Sequence, residues 1–407
     1  MSVLTLAWSL PASVLLVLVV LGRWTRRRAG AALLATVWPL WSLLLVDAAA
    51  RRWGWWHGPT ADQAVPLELI VGWALLWGPI PLVITPRARL SMLAAVVVLV
   101  DLVLMPELEP WVVLGPDWLT GEVVAIGCVL LPAQLLGRWT ISASALIPRA
   151  TLHFVQFTAV ALVLFPAWVL DLTGGPGPAA WPGAAWLHLP LLVGALLPGL
   201  AAVAAFAERG GGTPVPFDPP PRLVTSGPYA FVANPMQASF AAAWMVLASW
   251  SRDPWLAGAS AMAVVFGVGL GAASERQDLL ARHGAPWEAW RREVRAWWPR
   301  WRPHTGEEAL LLVDDDDRLA LAFAAFLERR GPVELAIVRR PGVSDGFALA
   351  PAGTPSPLRG AHAAIRSLEH LHLGWAALAW VLGLPGVRLL IEFARRAAVR
   401  LAGAPAG

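Results

Sequence analysis

The sequence predicts a polytopic α-helical membrane protein of about nine spans that ends in a small α/β domain, and three observations predict it. Of the 407 residues, 57% are hydrophobic and only 14% charged, with a mean hydropathy of +0.60; a soluble globular chain is nearer half apolar and a quarter charged. The charge is also segregated, with almost none in segments 14–22, 90–104 and 257–274 and a dense supply beyond Ser274. After Pro303 the pattern changes to short apolar runs alternating with helical periodicity. Every basic residue is arginine, but no basic face clusters on a soluble domain, which argues against a nucleic-acid partner.

A bilayer core takes about 20 mostly apolar residues per helix. That ruler places spans near 3–22, 29–49, 67–85, 90–108, 122–138, 151–171, 186–207, 237–251 and 254–273. In the first, the basic cluster Arg23, Arg26, Arg27 and Arg28 follows the apolar run, so it reads as a span with its N-terminus outside rather than as a cleaved leader. The last two are separated only by Arg252-Asp253-Pro254 and form a tight helical hairpin. With this topology the inner loops hold ten arginines (23, 26, 27, 28, 87, 89, 138, 149, 209 and 222) and the outer loops three (51, 52 and 252). The positive-inside rule then puts the C-terminal domain in the cytoplasm of a multi-pass cell-membrane protein. Trp53, Trp55, Trp56, Trp111, Trp118, Trp181 and Trp186 fit an interfacial belt.

Within the spans, Cys128 is the single cysteine, so disulfides within the chain are excluded, and it reads as a small buried hydrophobe. Asp101 lies well inside a span, where a hydrogen bond between helices outranks transport. His153 and Gln156 share a helix face and read as polar glue rather than as a metal pair. No pair of broken spans repeats between the two halves, which weakens a transporter reading. No metal site is expected.

The segment Arg222-Leu-Val-Thr-Ser-Gly-Pro-Tyr-Ala-Phe-Val-Ala-Asn-Pro-Met-Gln237 precedes the hairpin. Ser274-Glu275-Arg276 through Gly284, then Trp287, Trp290 and Trp297-Trp298-Pro299, follow it. Gly227-Pro228 makes a turn and Asn234-Pro235 a break before a helix. Backbone N–H groups and the Asn234 amide thus meet a helix N-terminus, a place for a polar ligand group, and Glu275 sits at the inner end of the last span. On these residues the stretch 186–303 resembles the isoprenylcysteine carboxyl methyltransferase-like family and its phospholipid methyltransferase relatives. That pattern runs L-V-T-x-G-P-Y-R-Y-V-R-[HN]-P-x-Y, a hairpin, then E-E-x-x-L-x-x-x-F-G-x-x-Y-x-x-Y and a proline.

The resemblance implies S-adenosylmethionine (SAM) bound near the inner membrane face and a methyl group passed to a hydrophobic or membrane-associated acceptor among membrane lipids. It assigns Val224, Gly227, Tyr229, Asn234, Pro235, Trp287 and Trp290 to the cofactor pocket. Glu275 would serve both as its acidic element and as the catalytic residue. The family's arginines are Ala230 and Ala233 here, its tyrosine after Asn-Pro is Gln237, and its second glutamate is Arg276. An inactive methyltransferase-like scaffold holding a lipid or protein is therefore the alternative.

In the tail, 308–313, 334–338 and 347–350 read as strands, 318–330 and the stretch from Gly360 as helices, an order that suits a thioredoxin-type domain. Leu358-Arg-Gly-Ala-His-Ala-Ala-Ile365 and Leu382-Gly-Leu-Pro-Gly386 resemble the DCC family of thiol–disulfide oxidoreductase-like proteins over 307–402. Asp317 and Ala320 stand where that family's cysteines belong, so its redox activity is not carried over. Asp314 to Asp317 read as a solvated turn capping the next helix. The expected divisions are 1–185 as N-terminal spans, 186–303 as the methyltransferase-like membrane domain and 304–407 as a cytoplasmic appendage able to bind a protein partner.

Overall fold

The computed structural model describes residues 3–177, 181–215, 218–350 and 357–402, with the backbone alone described at 3, 266, 270–275, 385 and 395–402. The chain is mostly helical, with a small sheet near the C-terminus. Among the described residues, six helices are long and apolar enough to cross a membrane: Leu4–Leu21, Arg26–Trp53, Leu67–Ile84, Trp118–Ser142, Leu146–Thr173 and Ala185–Gly210. Leu90–Leu104 and Pro254–Gly269 are apolar but shorter, and the helix between Pro235 and Ser251 has 17 residues.

Contacts divide the chain into two compact units, residues 1–164 with 212–219, and residues 165–211 with 220–407. The boundary thus falls earlier than the 185/186 division read from the sequence, and the tail belongs with the hairpin rather than standing apart.

The first unit contains α1 (Val3–Leu21), α2 (Arg26–Trp53), β1 (Trp56–His57), α3 (Leu67–Trp77), α4 (Pro79–Ile84), α5 (Leu90–Leu104) and β2 (Val113–Leu114). It continues through α6 (Trp118–Ala125), α7 (Leu131–Ser142) and α8 (Leu146–Ala159). Thr25 caps α2 by accepting from the Arg28 N–H, and Gly54 closes it in the left-handed region. The span made of α3 and α4 breaks at Gly78, and the buried Gln134 amide donates to the carbonyls of Trp77 and Gly78, each at 2.7 Å. That contact answers the rule that backbone groups at membrane depth need internal partners.

Asp101 is buried and accepts from the Trp73 indole at 3.4 Å, an interhelical hydrogen bond. His153 and Gln156 are both buried on one face of α8. Cys128 departs from its expected burial: it is exposed, because it lies in the wide-turned stretch Ile126–Leu130, of which Val129 and Leu130 are the buried members. Asp218, on the 212–219 segment, accepts from Arg27 at 2.9 Å and Arg149 at 2.6 Å.

The second unit begins with α9 (Phe165–Thr173) and α10 (Ala185–Ala205), which continues to Gly210. The hairpin follows as α11 (Pro235–Ser251) and α12 (Pro254–Phe266). Asp253 caps α12 by accepting from the N–H groups of Trp255 and Leu256, and the Ser260 hydroxyl donates to the Ala241 carbonyl at 2.8 Å. Two shorter helices, α13 (Ala272–His283) and α14 (Ala285–Glu293), complete this part.

The tail forms β3 (Ala309–Asp314), α15 (Arg318–Glu328), β4 (Leu335–Arg340), β5 (Phe347–Ala350) and β6 (Leu358–Arg359), then α16 (Gly360–Ser367), α17 (Leu373–Leu382) and α18 (Pro385–Ala402). Strand order is β4-β3-β5-β6, with β3 and β4 parallel and the other pairs antiparallel. Leu311, Val313, Ala320, Ala324, Leu327 and Leu349 form the center of its core. The Asp317 carboxylate accepts from the Leu319 and Ala320 N–H groups and caps α15. The carboxylates of Asp314, Asp315 and Asp316 gather within 4.8 Å of one another, and Asp314 accepts from the Gly342 N–H at 3.2 Å.

A buried ionic cluster joins the tail to the end of α10. Arg366 reaches Glu208 at 2.9 Å and Glu369 at 2.8 Å, and Arg209 reaches Glu369 at 2.8 Å. Burial alone would raise the Glu369 carboxyl, but the Arg366 and Arg209 guanidiniums outweigh it and hold it at about 2. Trp380 of α17 meets Phe231 edge-on at 6.0 Å, and the Leu373 N–H donates to the Trp301 carbonyl at 2.9 Å.

Candidate functional site

The two halves of the sequence motif meet through their backbones. Ala233 and Asn234 donate to the carbonyls of Arg295 and Ala296 at 2.8 and 3.0 Å, and Arg300 and His304 donate to those of Phe231 and Ala230, each at 2.9 Å. This pairing holds the segment before the hairpin against the segment after it. Gly227 enters the region with φ +68°, a conformation that L side chains rarely adopt, and starts the tight turn Gly227–Ala230. Asn234 precedes Pro235 at the start of α11, and its side chain makes no capping hydrogen bond. Gly267 is held against the Trp297 ring so closely that a Cβ would lie 2.5 Å from Cζ2.

A cavity of about 490 Å³ opens between these segments, lined by Val224, Tyr229, Asn234, Trp287 and Trp290 of the sequence-derived cofactor residues. Trp287 and Trp290, three residues apart on α14, are its buried aromatic pair. Phe206 lies 5.2 Å from the Tyr229 ring, centroid to centroid, and adds a further wall. The Trp290 indole N–H is buried without a hydrogen-bond partner among the described residues, an expensive state for a protein interior and one that a bound acceptor would relieve.

Two of the assigned residues stand elsewhere. Gly227 lines a neighbouring chamber instead, which it shares with Trp290. Pro235 is buried at the first position of α11, where its ring serves the helix start. Glu275 lies in the backbone of α13, but its side chain is outside the described residues.

Sequence reading missed the basic character of the cavity. Arg222, Arg276, Arg291 and Arg292 line it against Glu288. Arg291 donates to the Val294 carbonyl at 2.6 Å, whereas the side chains of Arg222 and Arg292 pair with no carboxylate among the described residues. His283 also lines the cavity, and burial together with Arg282 lowers its pKa. The usable signal was the Arg291-Arg292 pair directly after the Trp287 and Trp290 stripe.

The neighbouring chamber of about 700 Å³ shares Arg222, Leu223, Val224, Trp290 and Arg292 with the first, and the tail residues His304, Thr305 and Glu307 form part of its wall. Chemically, the first cavity offers aromatic faces, the Trp290 indole donor and the guanidiniums of Arg222 and Arg292. It suits a ligand with a flat ring and an anionic group. No known family, curated protein or solved structure matches this chain.

Proposed function

We propose that the chain is an integral membrane methyltransferase that binds SAM in the Trp287–Trp290 cavity and acts on a lipid-like or membrane-associated acceptor at the cytoplasmic face. The observation that carries this reading is the convergence of Val224, Tyr229, Asn234, Trp287 and Trp290 on one cavity of about 490 Å³. That volume lies in the range typical of small-molecule and cofactor sites. The nine-span topology, N-terminus outside, would follow if α5, α11 and α12 cross the bilayer along with the six longer helices.

The residues present fit the cofactor. Tyr229, Trp287 and Trp290 provide faces for a planar base or a cationic sulfur, and Arg222 and Arg292 provide forks for a carboxylate. Bound there, SAM would supply a sulfonium-activated methyl group for transfer to an acceptor lone pair, the C–S bonding electrons remaining with sulfur. The chain's own contribution is positioning and water exclusion, through the backbone pairing of 230–234 with 295–304. The chamber shared with the tail gives a polar acceptor group a place beside the aromatic pair. A parallel strand–helix–strand opening followed by antiparallel strands supports the thioredoxin-type reading of the tail.

One observation favours the alternative of an inactive scaffold. Ala230, where the resembling family carries arginine, is buried with Phe231, Ala376 and Trp380, so the tail occupies the space that an arginine fork would need. Calorimetric titration of the purified protein with SAM separates the two readings. Saturable binding that weakens at least tenfold in Trp290→Ala and Asn234→Ala supports the enzyme site; no heat at millimolar cofactor removes it.

A further inference from the structure

The last helix, α18, has two unlike faces. One face packs on the tail: Ile391 joins its hydrophobic core, Glu392 accepts from the Ala361 N–H at 3.3 Å, and Arg388 lies 3.3 Å from the His362 ring. The other face presents Leu389, Leu390 and Phe393, which are 68%, 71% and 75% exposed. These three fall within one turn of the same side, and helical spacing puts positions 396 and 400, both arginine, on that side as well. Across Pro385–Ala402 the charges are Arg388, Arg395, Arg396 and Arg400 against Glu392 alone.

We propose that α18 lies in the membrane interface with Leu389, Leu390 and Phe393 among the acyl chains of a bilayer that contains anionic lipid. Large apolar residues on one side and arginines beside them are the composition of an interfacial helix, and basic clusters next to a bilayer draw anionic lipid. The tail is also in the right place. Glu208 and Arg209, at the end of the apolar helix Ala185–Gly210, are ion-paired with Arg366 and Glu369, so α16 and the α18 packed on it stand at the end of a helix long enough to span. A crossing by Leu373–Leu382 and Gly386–Ala394 together, which meet at 87°, would instead place Arg388 and Glu392 at membrane depth, a costly arrangement.

The test uses the full chain in lipid nanodiscs, with Cys128→Ser and single spin labels on Leu390→Cys or Phe393→Cys. Accessibility to oxygen and to a nickel chelate is compared in discs of phosphatidylcholine with and without phosphatidylglycerol. In anionic discs both labels should favour oxygen, and Arg396→Gln with Arg400→Gln should shift the immersion equilibrium back toward water by roughly 30-fold, as about 1 kcal/mol for each basic residue near the surface requires. Labels that favour nickel in both discs overturn the proposal. So do labels shielded from both reagents, which would mean that protein covers this face, and immersion that is equal without anionic lipid.

Discussion

Replacing Glu369 by glutamine should loosen the tail from the end of α10. In the folded chain this carboxylate sits between Arg366 and Arg209, each 2.8 Å away, and is almost fully buried. Its pKa of about 2, against an ordinary 4.5, corresponds to ~3 kcal/mol in favour of the ionised, docked state at neutral pH. The same figure sits at the low end of what breaking a buried ion pair costs. Hydrogen exchange reads it directly: amides of 360–370 should open on the order of 100-fold more often in Glu369→Gln. Glu328→Gln provides the control, because its partner Arg339 is half exposed at a surface pair that contributes little. Unchanged protection in Glu369→Gln, or an equal loss in the control, would refute the reasoning.

Two further outcomes follow from the same region. His362 is held down to about 4, first by burial and then by Arg366, so the unfolded chain takes up a proton first as pH falls. The stability of the tail should therefore drop by up to ~3 kcal/mol between pH 6.5 and pH 4 and stay level above that window; melting curves across the range check it, and His362→Asn should flatten the slope. Glu369 adds a second loss at lower pH, from about 4.5 down to about 2. At Gly227, φ +68° makes Gly227→Ala cost ~1–2 kcal/mol, and its Cβ would lie 3.3 Å from the Arg209 guanidinium. Chemical denaturation in detergent should show the lower midpoint.

Much of the helical architecture was legible because span-length apolar runs have a physical length scale. The breaks were harder. Gly78 interrupts a continuous apolar run, and the Gln134 amide that satisfies the break lies more than fifty residues away in sequence. In the tail, the alternation of apolar strands and the Asp317 cap were visible in the sequence, whereas β6 has only two residues and carries no pattern of its own. At the site, the motif residues announced the aromatic pair through their spacing. The arginine wall and the ionic cluster of Glu208, Arg209, Arg366 and Glu369 depend on long-range packing, which single-chain periodicity does not encode. At Ala230, burial with Trp380 shows a structural use for the small side chain that the motif alone does not carry.

Occupancy of the Trp287–Trp290 cavity by SAM can be read from ultraviolet cross-linking of radiolabelled SAM to the full chain in membranes, followed by peptide mapping. Saturable label on peptides covering 222–234 or 285–296, displaced by excess unlabelled SAM, is the expected result; label elsewhere, or label that excess SAM does not displace, would contradict it.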